Sequence, residues 1–315
     1  MSGKVPLHAV VAVAGPTGAG KSELALRVAE EFNGEVVNCD SLQIYRYFDI
    51  GTAKLTKAEM RGIPHHLIDI ADPDQVFTAG DYARLGRAAL ADISGRGRLP
   101  VVAGGTGFYL SALFEGLFRG PERDPALRER LAARESRRPG SLHGLLARFD
   151  AAAAARIHRN DVPKVMRALE VRLIARRPVT ELFREGRDAL EGYRTLKLCL
   201  APERDALYAR VDERCRRMFE SGLLDEVRGI LDRGYSAGAK PFESHGYRQA
   251  VQMLRGELNA QEALFYAQRN TRNYAKRQMT WFRKGPEMEW LEGFGNEPRV
   301  QEAALARVRK FLTIC

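Results

Sequence analysis

The chain has 315 residues, of which 45% are hydrophobic and 29% are charged, and this balance excludes disordered and fibrous proteins. No apolar run reaches the roughly 20 residues that a membrane helix needs, so we expect a soluble protein without a membrane partner. The formal net charge of +10 favours polyanionic partners, with nucleic acid as the first candidate.

The first third of the chain alternates strand and helix patterns. Short β-rich apolar runs predict strands, and runs with helical periodicity predict amphipathic helices between them. The predicted strands are residues 8–15, 35–40, 66–70 and 99–105, and the predicted helices are residues 21–32 and 77–94. This alternation predicts an α/β fold with a parallel sheet of the P-loop type, covered by helices on both faces.

The character of the chain changes at about Arg119. The segment 119–192 is rich in arginine and alanine, with helical signals and almost no strand signals, so we expect an inserted, mostly helical domain. Residues 1–118 and 193–315 together form the core, whose last part is largely helical and basic. The remaining core elements are expected to be a strand at 195–202, a strand at 287–292 and a final helix at 297–312.

Residues 15–22 read GPTGAGKS and match the P-loop pattern G-x-x-x-x-G-K-[ST] between a predicted strand and a predicted helix. Glycines let backbone N–H groups turn inwards, and the helix N-terminus adds partial positive charge. Lys21 offers a point charge to phosphates, and Ser22 offers a hydroxyl to magnesium. The expected diphosphate-binding residues are Gly15, Pro16, Thr17, Gly18, Ala19, Gly20, Lys21 and Ser22.

Two polar side chains follow predicted strands beside the P-loop. Asp40 ends the run EVVNCD, and Thr106 lies in a glycine-rich turn after LPVVA. Because the carboxyl ends of parallel strands line the ligand crevice, Asp40 can accept a proton and Thr106 can bond a phosphate oxygen. A turn or helix-cap role is the alternative for both residues. The strand before Thr106 lacks the magnesium-binding Asp that a conventional ATPase carries there.

Seven segments, in order and spacing, resemble the bacterial tRNA dimethylallyltransferases, also called tRNA isopentenyltransferases, over roughly residues 9–292. They are GPTGAGKSELA, VNCDSLQIYRYFDIGTAK, IPHHLIDIADPDQVFTAGDY, VVAGGTGFYLSALFEG, AARIHRNDVPKVMRALEV, GYRQA and AKRQMTWFRK. The resemblance implies transfer of a dimethylallyl group from dimethylallyl diphosphate to N6 of adenosine 37 beside the tRNA anticodon, with Mg²⁺ at Ser22. We also expect a monomer.

The resemblance also implies roles for residues. Asp40 takes the proton of the adenine amine, Thr106 hydrogen-bonds the diphosphate, and Arg214 contacts the diphosphate or the substrate. Arg210, Arg214 and Arg217 share one helical face, for which a solvated basic stripe is the alternative. The implied tRNA contacts are Asp40, Ser41, Leu42, Gln43, Arg128, Pro163, Lys164, Val165, Met166, Arg167, His245, Gly246, Tyr247 and Arg248.

The helical segment 266–284 combines basic and aromatic side chains, which suit phosphate contacts and base stacking. Its alternative is a solvated face over an aromatic core. The chain departs from the family pattern at Arg159, and at Pro163 and Lys164, where relatives have Pro and then Gln-Arg. Lys164 and Arg167 nevertheless keep positive charge in this region.

Three other functions fit parts of the sequence. A small-molecule P-loop kinase shares the P-loop and Asp40 but does not explain the long basic C-terminal half. An isopentenyltransferase acting on free adenine nucleotides does not need an RNA-binding insertion. A non-catalytic RNA-binding ATPase module does not need Asp40 and Thr106 together. The four cysteines are scattered without metal-ligand spacing, which predicts reduced thiols in a cytoplasmic protein.

Overall fold

A computed structural model describes residues 7–285 and 287–313, without the side chain of Arg184. In these ranges the strands form one six-stranded parallel sheet in the order β3-β2-β4-β1-β5-β6. They are β1 His8–Ala14, β2 Gly34–Asn38, β3 His65–His66, β4 Leu99–Gly104, β5 Tyr193–Ala201 and β6 Met288–Glu292. The central strands are buried apolar runs, as expected for a parallel sheet with helices on both faces, and the predicted α/β class is confirmed.

Helices connect and surround these strands. In chain order they are α1 Lys21–Glu31, α2 Ala79–Gly95, α3 Gly107–Phe114, α4 Pro125–Arg137, α5 Ser141–Phe149, α6 Ala151–Arg156, α7 Val162–Ala175, α8 Val179–Arg184, α9 Arg204–Glu220, α10 Leu223–Asp232, α11 Tyr247–Leu254, α12 Ala260–Phe282 and α13 Pro298–Thr313. A short 3-10 helix spans Lys240–Glu243. Within the described ranges, no helix combines the length and apolar character that crossing a bilayer requires.

The chain divides into two compact units. The core unit contains residues up to Phe114 and residues from Leu190, and it holds the whole sheet. The insertion unit, Glu115–Ala189, contains α4 to α8 and has its own apolar core around Leu146 and Leu169. Each unit therefore buries an apolar cluster of its own.

The strand predicted at 66–70 is wrong in extent. The pairing with β2 covers His65 and His66 alone. Leu67 and Asp69 then adopt φ values of +61° and +55°, left-handed conformations that end an extended strand. Asn38 stabilises the first of these turns, because its side-chain amide donates to the Leu67 carbonyl at 2.9 Å.

The register of the sheet brings three strand ends to one edge. Ala14 at the end of β1 pairs with Gly104 of β4, and Asn38 at the end of β2 pairs with Ala103. The following residues stay linked, since the Thr106 N–H donates to the Cys39 carbonyl at 3.2 Å. The P-loop, Asp40 and Thr106 therefore share one edge of the sheet.

Candidate active site

A cavity of about 430 Å³ opens beside the P-loop in the core unit. Its polar wall includes Thr17, Asp40, Ser41 and Arg214, whereas aromatic and aliphatic side chains from α9 and neighbouring loops form much of the rest. A concave, mostly apolar space with a few convergent polar groups is typical of a small-molecule site.

The P-loop presents the start of α1 to this edge. Gly20, at the N-cap of α1, has a φ of +86° and no side-chain cap, which leaves first-turn N–H groups for an anion. Lys21 is half-buried, and its ammonium donates to the Pro16 carbonyl at 2.8 Å. Burial lowers the pKa of Lys21 to about 8; nearby Asp40 opposes this shift, and nearby Arg214 reinforces it.

Arg214, on α9, reaches the same end of the cavity. One of its guanidinium nitrogens donates to the Thr17 hydroxyl. Its Nε is buried without a hydrogen-bond partner, and among the described residues no carboxylate pairs with it. Burial lowers the pKa of Arg214, but arginine keeps its charge at neutral pH. A partly buried cation in this state is suited to bind an anion at the P-loop.

Asp40 lies on the cavity wall in a tight turn. Its Oδ1 accepts from the Leu42 N–H at 2.9 Å, and its own N–H donates to Asn38 Oδ1 at 3.1 Å. Asp40 therefore stabilises the turn and also lines the cavity, so the two roles do not exclude each other. The fixed backbone holds the carboxylate where a bound amine can donate to it.

Thr106 belongs to a small hydroxyl network at the end of β4. It accepts from the Ser41 N–H at 3.0 Å and donates to the Ser41 hydroxyl at 3.3 Å. Burial raises the pKa of the nearby Tyr274 phenol; Asp40 adds to this rise and Thr106 opposes it. Ser41 and Tyr274 both line the cavity.

Sequence reasoning missed Gln278, a buried residue of α12. Its Oε1 accepts from the Thr17 N–H at 2.8 Å, and its Nε2 donates to the Gly105 carbonyl at 2.7 Å. Its helical spacing from Ala267 and Thr271 could have indicated a buried position, because Gln278 lies on the same buried face of α12 as these two small residues. A polar amide at a buried helical position requires partners, and here the partners are two loops of the site.

The predicted tRNA contacts of the core unit fall into two groups. Ser41, Leu42, His245 and Gly246 line the cavity, Gln43 lies half-buried beside them, and Arg248 is exposed. Tyr247 is a core residue instead: it is fully buried, its hydroxyl bonds Glu226, and it accepts from the Gly51 N–H at 3.1 Å. Its side chain therefore packs the fold and offers no surface to RNA.

The predicted contacts of the insertion unit also divide. Arg128 and Arg167 both bind the buried carboxylate of Glu170, at 2.9 and 2.7 Å. Pro163 and Lys164 are exposed at the start of α7, whereas the Val165 side chain belongs to the unit's apolar core. Met166 is half-buried. The exposed charge in this segment is therefore carried by Lys164, whose ammonium pairs with Asp161 at 2.6 Å.

Comparisons with known proteins agree on one family. The family model described as IPP transferase matches residues 43–285. The chain is 68% identical over 303 residues to the tRNA dimethylallyltransferase of Solibacter usitatus, covering 96% of this chain and 99% of the relative. It is 51% identical over 296 residues to the enzyme of the same name from Koribacter versatilis, covering 94% and 96%.

Solved structures are similar over nearly the whole chain. The full-length tRNA isopentenylpyrophosphate transferase from Bacillus halodurans is 36% identical with a TM-score of 0.70, and the match covers 97% of this chain and 95% of that one. A eukaryotic dimethylallyltransferase captured acting on tRNA is 28% identical with a TM-score of 0.84, covering 97% and 80%.

Proposed function

This chain belongs to the IPP transferase family and transfers a dimethylallyl group to tRNA, and from that premise we propose that it takes the group from dimethylallyl diphosphate and attaches it to N6 of adenosine 37 beside the anticodon. One observation carries the proposal. Arg214, a cation that pairs with no carboxylate of the described residues, and Asp40, a carboxylate, line the same cavity beside the P-loop. Arg214 can bind the leaving anion, and Asp40 can accept a proton from the attacking amine.

At the diphosphate end, the chain stabilises charge that grows as the C–O bond breaks. The uncapped N–H groups of α1, Lys21 and Arg214 bind the leaving diphosphate, and the Thr106 hydroxyl rotates away from Ser41 to donate its proton to the same group. Donors fixed before reaction stabilise such developing charge strongly, because they need little reorganisation.

Ser22 is exposed on the first turn of α1, and its hydroxyl is the kind of hard oxygen ligand that Mg²⁺ accepts. In the described residues no three His, Cys, Asp or Glu side chains form a metal cluster, so phosphate oxygens and water would complete the coordination. When bound, Mg²⁺ would neutralise part of the diphosphate charge. Ser22 is therefore the protein ligand that we propose for it.

At the acceptor end, Asp40 accepts the proton that N6 loses. The N6–C1 bond forms, the C1–O bond to the diphosphate breaks, and diphosphate leaves with the bonding electron pair. Because an exocyclic amine is a weak nucleophile, orientation in the cavity and proton acceptance together supply much of the rate. The adenine must leave its stack to reach Asp40.

The tRNA side of the proposal rests on exposed charge. Arg269, Lys276 and Arg277 are exposed on α12, Arg277 lines the cavity, and Lys164 is exposed in the insertion unit. Such side chains suit phosphate contacts, which fix position without reading sequence. We propose action as a monomer in the cytoplasm.

The test is a mass measurement. The protein is incubated with Mg²⁺, dimethylallyl diphosphate and unmodified tRNA bearing adenosine 37, and we expect a five-carbon mass gain on that nucleoside. Matched tRNA with guanosine 37 should gain nothing. A gain on AMP instead, or phosphoryl transfer from ATP to a small molecule, would contradict the proposal and favour a nucleotide isopentenyltransferase or a kinase.

Asp40→Asn separates the chemistry from binding. The amide keeps an oxygen for the Leu42 N–H but accepts the N6 proton poorly, so we expect kcat to fall about 10²- to 10⁴-fold. tRNA affinity, measured by filter binding, should stay within about twofold of the native value. A collapse of tRNA binding with little change in kcat would make Asp40 an RNA-positioning residue rather than the base.

A further inference from the structure

Gln278 connects two loops that are far apart in sequence. It is 6% exposed, and its hydrogen bonds reach Thr17, 261 residues earlier, and Gly105, 173 residues earlier. Thr17 is part of the P-loop, and Gly105 immediately precedes Thr106. A single buried amide thus holds the two loops that face the proposed diphosphate.

The chemistry of the two partners requires an amide. The backbone N–H of Thr17 can only donate, and the backbone carbonyl of Gly105 can only accept. The side chain between them must therefore offer one acceptor and one donor, and the partners themselves fix which end of the Gln278 amide carries the oxygen. Removing either bond would leave a backbone group unpaired beside the site.

Glycine at position 105 makes room for this amide. A Cβ on Gly105 would overlap Gln278 Nε2 and would lie 3.4 Å from the Lys21 ammonium and 3.3 Å from the Gly15 carbonyl. The Gln278 amide and the Lys21 ammonium are therefore packed closely around Gly105, in the turn before Thr106. A shift of Gln278 would be transmitted to groups that face the diphosphate.

We propose that Gln278 is a positioning residue that holds the P-loop and the Thr106 turn in the arrangement that binds diphosphate. The inference rests on the proposed function, because it assigns Gln278 to the diphosphate end of that site. Gln278 acts through Thr17, whose hydroxyl accepts from Arg214, and through the backbone that carries Thr106. It does not touch the reacting atoms.

The first test compares Gln278→Met with the native protein, using inorganic diphosphate as the probe in calorimetry. Methionine keeps the volume but loses both hydrogen bonds, so we expect affinity to fall about 10- to 100-fold. The control is Gln268→Met, on the same helix, because Gln268 donates to the Asp212 carbonyl of α9 at 3.1 Å rather than to a residue of either loop. Native affinity in folded Gln278→Met, with only a lowered melting temperature, would overturn the proposal.

The second test uses Gln278→Glu, which keeps size and shape. A neutral glutamic acid can accept from Thr17 and donate to Gly105, but a carboxylate cannot donate and would repel the carbonyl and the diphosphate. The affinity for inorganic diphosphate, divided by the native value at each pH, should therefore recover as the pH falls. A ratio that does not change with pH would overturn the proposal even if Gln278→Met fails to fold.

These readouts are independent of the transfer reaction. Binding of inorganic diphosphate needs no tRNA, so it can fail in Gln278 variants while the native protein still modifies adenosine 37. In the transfer assay, we expect Gln278→Met to raise KM for dimethylallyl diphosphate and leave KM for tRNA near the native value. An inactive native protein would instead overturn the proposed function.

Discussion

Arg214 of the core unit and two arginines of the insertion unit, Arg128 and Arg167, have opposite electrostatic surroundings. In the core unit, Arg214 contacts a hydroxyl, has a buried Nε without a partner and pairs with no carboxylate among the described residues. In the insertion unit, Arg128 and Arg167 share the fully buried carboxylate of Glu170, whose pKa they lower against the opposing effect of burial. The first arrangement keeps positive charge available for a ligand, and the second consumes it inside the fold.

The difference shows that charge alone does not identify a binding residue. Arg128, Arg167 and Arg214 are all arginines in helical, basic segments, and from sequence all three were candidates for contact with anions. What separates them is the group that each guanidinium meets. A buried carboxylate makes an arginine structural, because removal of one partner leaves the other charge incompletely compensated.

Arg214→Ala should give the largest effect. Loss of this cation should lower kcat/KM for dimethylallyl diphosphate about 10²- to 10³-fold, since one preorganised donor to the leaving group disappears. Melting temperature should change little, because Arg214 pairs with no carboxylate of the described residues and the variant loses only the hydrogen bond to the Thr17 hydroxyl. Arg217→Ala is the matched control, since Arg217 lies on the same helix with an exposed side chain. An equal loss of kcat/KM in Arg214→Ala and Arg217→Ala would contradict the special role of Arg214.

Arg128→Ala should lower stability rather than diphosphate binding. Glu170 would keep Arg167 but lose a bidentate partner, so we expect the free energy of unfolding to fall by about 2 kcal/mol in a urea titration. Arg128→Ala combined with Glu170→Gln should recover part of the loss, because the uncompensated charge is gone. Native stability with weaker tRNA binding and a shallower salt dependence would instead place Arg128 in the RNA interface.

Titration of Lys21 should give the smallest effect, a pH dependence of diphosphate binding and of stability. Because burial lowers its pKa to about 8, the free protein should bind diphosphate less well as the pH rises through 8. The folded state binds fewer protons than the unfolded state between about pH 8 and the ordinary lysine value, so stability should rise over the same interval. Lys21→Arg stays charged and should show neither trend. If binding and stability both fell as the pH rises, the result would contradict the assignment of this pH dependence to Lys21.

The parts of the site that sequence could predict are local in the chain. The P-loop is defined by eight consecutive residues, and the strand patterns before Asp40 and Thr106 indicated a shared sheet edge, which the register of β1, β2 and β4 confirms. The roles of these side chains in the reaction remain predictions. Their positions follow from short-range patterns, which a sequence displays directly.

The parts that sequence missed depend on distant partners. Gln278 acquires its place from loops more than 170 residues away, so its buried position on α12 was the one available signal. Glu170 lies in the apolar stretch ALEV, and one of its two arginine partners, Arg128, is 42 residues away in the chain. The strand predicted at 66–70 is shorter because Leu67 and Asp69 adopt left-handed conformations, the first of which the Asn38 side chain of β2 stabilises.

The insertion unit leaves and re-enters the core at one point. The Leu190 N–H donates to the Phe114 carbonyl at 2.9 Å, so the two cut ends of the core are joined by a backbone hydrogen bond. The insertion therefore behaves as a long loop whose two ends are held together in the core. The loop-closure entropy of such a loop grows only slowly with its length. Helices could be lengthened, shortened or exchanged between these two residues while the core folds as a continuous chain, which makes this junction a natural point for varying the insertion without rebuilding the sheet.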